Sequence, residues 1–127
     1  LGLNWRRRKK GIIPSIENGD IKNDYRPSPD RVDLWVDTGF HVSGRPEWVF
    51  VKVHTHGAQG GDMDANLGAP CDEMYSYLES RYNDGENYCL HYASAREVYN
   101  IIKAAEAGKA GDPNDYRDFL IPKPNYR

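Results

Sequence analysis

The run Trp48 to His54 does most to limit the possible folds of this chain. It is short, rich in β-branched and aromatic residues, and apolar on both faces except at Lys52. Strands of that kind belong to parallel sheets covered by helices, because both of their faces must be shielded from water. The run ends in His54-Thr55-His56-Gly57 and opens a glycine-rich loop to Ala69. Loops of that length inside a compact domain are uncommon and tend to be functional.

The flanking sequence supplies helices. Ser28-Pro29-Asp30 is a helix start: an N-cap residue, a proline for the first turn, and an acid that suits the helix dipole. Val32, Leu34, Trp35 and Val36 follow, and Gly39 is the stop. Pro70 opens a second helix with Asp72 and Glu73 in its first turn, and Asn83-Asp84-Gly85 ends it. Ser94-x-x-Glu97 is a capping box. It starts a third helix whose stripe is Val98, Ile101, Ile102 and Ala105, closed by Gly108. Short strands are expected at Gly11 to Glu17 and Asn87 to Tyr92, with Asn18-Gly19-Asp20 as a turn after the first. The order is β-α-β-α-β-α. Right-handed crossovers then make a small parallel α/β sheet. The segments divide as a basic arm over 1–10, an α/β domain over 11–111 and an irregular, proline-rich tail over 112–127.

Composition narrows the functional classes. With 127 residues there is room for one domain, but not for a (β/α) barrel, which needs roughly 200 or more. Arg6, Arg7, Arg8, Lys9 and Lys10 put five cations and no acid into residues 1–10. The rest of the chain therefore sums to −7 against a total of −2, which argues against a general nucleic-acid binder. There is no apolar run of transmembrane length and no signal peptide, so no membrane role and a cytoplasmic location are expected. The first residue is Leu1 rather than Met, which points to a portion upstream. Cys71 and Cys89 lack disulfide-framework or metal spacing and read as free thiols. Two exposed sheet edges would favour a homo-oligomer.

A parallel sheet would gather its carboxyl-terminal strand ends on one rim. That rim would hold Glu17 and Asn18, His54 and His56, then His91. Residues two apart in an extended strand face the same way, so His54 and His56 can present imidazole nitrogens to one ion. Zinc would need a third ligand from Asp62, Asp64, Glu17 or His91, with water as the fourth. Without a metal, His54 and His56 serve as acid–base groups with Glu17 as the partner carboxylate. Asp37-Thr38-Gly39 follows a helix and is unpaired, which sets aside an aspartic-protease reading. The Gly57 to Gly61 loop lacks the lysine and spacing of a phosphate loop. No nucleophile elbow is present.

The runs DRVDLWVDTGFHVSGRPEWVFVKVHTHGA and RYNDGENYCLHYASAREVYNIIKAAEAG resemble the carboxyl-terminal part of bacterial polysaccharide deacetylase-like proteins, of the glycoside hydrolase/deacetylase barrel group. The resemblance spans about Ile12 to Asp118. It implies the last units of an incomplete (β/α) barrel and a glycan-facing rim. It also implies that the family's metal-binding half is missing, so that the chain is catalytically incomplete alone and carries no cofactor. On that reading His54, His56 and Glu17 are catalytic, and Asn18, Lys52, His91 and Tyr92 contact the glycan. The alternatives are a non-enzymatic interaction module and a small His-dependent metallohydrolase using zinc.

Overall fold

The helix signals are local and the chain obeys them. In the computed structural model, which describes residues 2–9 and 12–125, α1 runs Pro29–Asp37, α2 Asp62–Leu67, α3 Ala69–Arg81 and α4 Ala95–Glu106. A 3-10 turn covers Pro113–Tyr116. Ser28 is extended and Pro29 occupies the first turn of α1. Gly39 takes φ +59 just past its end, a left-handed conformation that glycine adopts without a Cβ penalty. The capping box of α4 is complete: Ser94 Oγ accepts from the Glu97 N–H, and the Ser94 N–H donates to Glu97 Oε2 at 2.7 Å.

One expected strand forms, within Gly11 to Glu17, and the other strands differ from expectation. The sheet among the described residues is a two-stranded antiparallel hairpin of β1, Gly2–Lys9, and β2, Ile13–Glu17. The fold is mixed α/β, but among the described residues neither a parallel sheet nor barrel units form. The basic segment is one strand of the hairpin; Leu1, Lys10 and Gly11 lie outside the described residues.

Neither Trp48 to His54 nor Asn87 to Tyr92 is a strand, and each has a physical reason. Val49 and Val51 are exposed at 40% and 44%, so the first run is not buried on both faces. Its residues serve two cores, Trp48 one and Val53 the other. In the second run, side chains take the amides that a ladder would use. The Asp84 carboxylate accepts from the N–H groups of Glu86, Asn87 and Tyr88, and Asn83 Oδ1 accepts from the Leu90 N–H. This is the competition between side-chain and ladder hydrogen bonds that polar turn residues win. Those amides hold the Asp84 carboxyl well below the usual carboxylate range.

The chain forms two compact units, Leu1–Gly39 with Val51–Leu90, and Phe40–Phe50 with His91–Arg127. In the first, Ile21, Val32, Trp35, Ala65, Met74 and Tyr82 make the core. The hydroxyls of Tyr77 and Tyr82 both donate to Asp33 Oδ1 at 2.8 Å, joining α3 to α1. In the second, Trp48, Ile101, Ala104 and Ala105 make the core, with Tyr116 and Phe119 packed against it.

Asn100, fully buried on α4, clamps the segment after Tyr116. Its amide nitrogen donates to the Arg117 and Ile121 carbonyls, and its oxygen accepts from the Leu120 and Ile121 N–H groups. Arg96 reaches the same two carbonyls, so they keep a partner when Asn100 is lost, whereas the two N–H groups do not. Asn100→Ala is therefore expected to cost about 2 kcal/mol, the scale of an unmade buried hydrogen bond. Urea unfolding followed by far-UV circular dichroism measures it.

Candidate metal centre

β2 ends at Glu17, and the next three residues build one wall of the site. Asn18 Oδ1 accepts from the Asp20 N–H at 3.0 Å, closing a side-chain turn. Gly19 has φ +76, and a Cβ there would lie 2.9 Å from the Lys52 carbonyl oxygen. Only glycine allows that approach at that backbone angle. The approach brings the two segments together. The His54 N–H donates to the Gly19 carbonyl at 2.9 Å, and the Ile21 N–H donates to the His54 carbonyl at 2.8 Å. These two bonds form an isolated parallel bridge that sets Asp20 beside His54.

Asp20 is buried, with 6% exposure. Its Oδ2 lies 3.5 Å from Lys22 Nζ, while its Oδ1 has no hydrogen-bond donor. That oxygen lies 3.9 Å from His54 Nε2. Past His54, the Gly57 N–H donates to Thr55 Oγ1 at 3.2 Å and Gly57 takes φ +105, turning the chain. The His54 and His56 rings then meet edge to face, 5.8 Å between centroids. One ligand atom from each of Asp20, His54 and His56 falls within 4.8 Å of the other two. Ligands about 2.0–2.2 Å from a tetrahedral zinc lie about 3.3 Å apart, so no pair in the set has to close by more than about 1.5 Å. Of the three residues, His56 is the exposed one.

Glu17 lies on the structural side of this arrangement. Arg31 grips it bidentately, Nε to Oε2 at 2.8 Å and Nη2 to Oε1 at 2.7 Å. Tyr25 donates to Oε2 and the Gly19 N–H to Oε1. Burial alone would raise the Glu17 pKa. The bonds from Arg31, Tyr25 and Gly19 outweigh it and hold the carboxyl at about 2, against an ordinary 4.5. A carboxylate held so firmly ionised suits an anchor better than a proton shuttle. Arg31 Nη2 also donates to the Asp20 carbonyl at 2.7 Å, so the anchor fixes the turn that carries Asp20.

The other expected residues are placed as follows. Asn18 shapes the turn. The Lys52 side chain is exposed, and its carbonyl packs on Gly19. His91 belongs to the second unit, with Nε2 3.8 Å from Asp112 Oδ1. Tyr92 is in that unit too, and its carbonyl accepts from Arg117. Asp62 and Asp64, considered as third ligands, are engaged with the Asn23 N–H and with Arg26. Asp20 was the residue missed. It belongs to the Asn18-Gly19-Asp20 turn, and the only sequence signal was an acid three residues past a strand end. Compared with protein-family models, curated proteins and solved structures, this chain matches none.

Two outcomes follow for the anchor and the bridge. The folded-state pKa of Glu17 is depressed, so its contribution is complete above the unfolded pKa near 4.5 and is lost as pH falls toward about 2. The linked stability is about 3 kcal/mol. Urea midpoints measured between those pH values should fall for the wild type, and the gap to Glu17→Gln should close. Gly19→Ala should break the bridge and cost more than about 1 kcal/mol. The readout is hydrogen exchange at the His54 and Ile21 amides, which should lose protection.

Proposed function

We propose that Asp20, His54 and His56 form a zinc-type metal site that serves hydrolysis. The observation that carries this reading is the buried Asp20 Oδ1, which has no hydrogen-bond donor and lies 3.9 Å from His54 Nε2. A buried carboxylate oxygen without a donor is costly, and a cation shared with two imidazoles would relieve that cost. One carboxylate and two imidazoles form a ligand set suited to zinc, with three protein ligands leaving a position for water.

When bound, the metal would lower the pKa of its water and polarise a carbonyl. The chain's own residues do the rest. Asp20 supplies a fixed anionic ligand, held by the Glu17–Arg31 anchor beneath it. His54 is set by its backbone bridge to Gly19 and Ile21. Lys22, against the second oxygen of Asp20, keeps that carboxylate oriented with Oδ1 toward the histidines. The resemblance to polysaccharide deacetylases supports an acetylated oligosaccharide as the first substrate to assay.

Zinc titration by calorimetry should give one ion per chain. Asp20→Asn, His54→Ala and His56→Ala should each weaken binding at least tenfold, since loss of an outer-shell partner alone costs about that much. Acetate release from the oligosaccharide should stop on chelation and return with zinc. Full zinc binding by the His54→Ala variant would sink the assignment.

A further inference from the structure

The β1–β2 hairpin is built inside out. Residues two apart share a face of a strand. On the inner face Asn4, Ser15 and Glu17 are buried at 6%, 9% and 2% exposure. On the outer face Leu3 stands opposite Ile16 in the register, and they are 56% and 65% exposed. Trp5 is 56% exposed and lies where the register shifts, between Asn4 and Arg8. Ile12 and Ile13, at the turn and the start of β2, are exposed at 80% and 60%. Five large apolar residues thus sit on the surface of one small element. The sequence places Arg6, Arg7, Arg8 and Lys9 on that same β1 strand, with Lys10 next.

We infer that this hairpin docks the protein onto an anionic lipid surface. Two of its properties match the two layers of such a surface. The basic run complements the negative headgroups. The aliphatic side chains and Trp5 suit the boundary beneath them, where tryptophan is enriched. Both come from one stretch of chain, while the remainder of the protein carries the opposite net charge, −7. That division would orient the hairpin toward the lipid and the acidic body away from it. Nucleic acid is the poorer match, because four of the five exposed residues are aliphatic and have no base or phosphate to recognise. A second copy is also the poorer match, since a two-fold contact through the hairpin would bring two five-cation runs together. Docking here is peripheral: no helix among the described residues is long and apolar enough to cross a membrane. This inference does not depend on the metal site.

The test uses the full chain with vesicles of phosphatidylcholine, alone or with about 30% phosphatidylserine. Co-sedimentation is expected only with the serine lipid and should weaken as salt rises. Trp35 and Trp48 are buried, so a blue shift of tryptophan emission on binding reports Trp5. Each basic residue removed should weaken binding about fivefold, so Arg6→Gln, Arg7→Gln and Arg8→Gln together should cost about two orders of magnitude. Trp5→Ala should abolish the emission shift, with far-UV circular dichroism confirming that the variant folds. If that variant does not fold, the triple variant and the wild-type shift still decide the question. Equal binding to phosphatidylcholine alone overturns the inference. So does binding of a single-stranded oligonucleotide with none to vesicles, or a dimer lost in Trp5→Ala with no vesicle binding.

Discussion

The Glu17–Arg31 ion pair is the interaction on which the first unit depends. Both side chains are almost wholly buried, at 2% and 3% exposure. A buried ion pair adds little net stability, because desolvating two charges costs about as much as their attraction returns. Its value here is geometric. Besides the two bonds to Glu17, the Arg31 guanidinium donates to the carbonyls of Asp20, Tyr25 and Arg26, and it stacks on the Tyr25 ring at 3.7 Å. One planar cation thereby fixes a turn from β2 to the residues before α1, a stretch with little regular structure of its own. The three proposed metal ligands inherit that order through Gly19.

How far the sequence could be read follows from the range of each interaction. Three of the helices were legible because their determinants lie within a few residues: Pro29 and Gly39 around α1, Pro70 in α3, Ser94 and Glu97 at α4; α2, Asp62–Leu67, lies in the stretch read as a glycine-rich loop. Among the strands, β2 was legible as part of Gly11 to Glu17, but the others were not. An apolar run such as Trp48 to His54 shows that it needs burial, but not what will bury it. Here Trp48 and Val53 serve different cores, and the run's last residue, His54, makes just an isolated bridge to Asp20. β1 was hidden for the opposite reason: five consecutive cations read as a solvated arm, and a partner strand is a non-local fact. In Asn87 to Tyr92 the capture of backbone amides by Asp84 and Asn83 was foreshadowed by the Asn-Asp-Gly turn, though not its extent.

The site divides along the same line. His54 and His56 were readable as a pair because their spacing is local. Their partner Asp20 is 34 positions from His54 and arrives only through the Gly19 approach. Glu17 was readable as a strand-end carboxylate, yet its role is set by Arg31, 14 residues on, which no spacing rule singles out. The hairpin shows the converse problem. Its Leu3–Ile16 and Asn4–Ser15 pairs alternate, but alternation alone does not say which face turns inward. A buried charge at Glu17 decided it, leaving the apolar face outside.

The two compact units are interleaved along the chain, in the order first, second, first, second. Domains tend to fold as they emerge during synthesis, amino-terminal part first. In this chain the first unit is not complete until Leu90 is made, and by then Phe40–Phe50 has already been produced without its own partners. Trp48 and Phe50 must wait for α4 before they can be buried. The interval between residue 50 and residue 105 is thus a window in which a tryptophan and a phenylalanine are exposed on a nascent chain, and a ribosome pause there would prolong it.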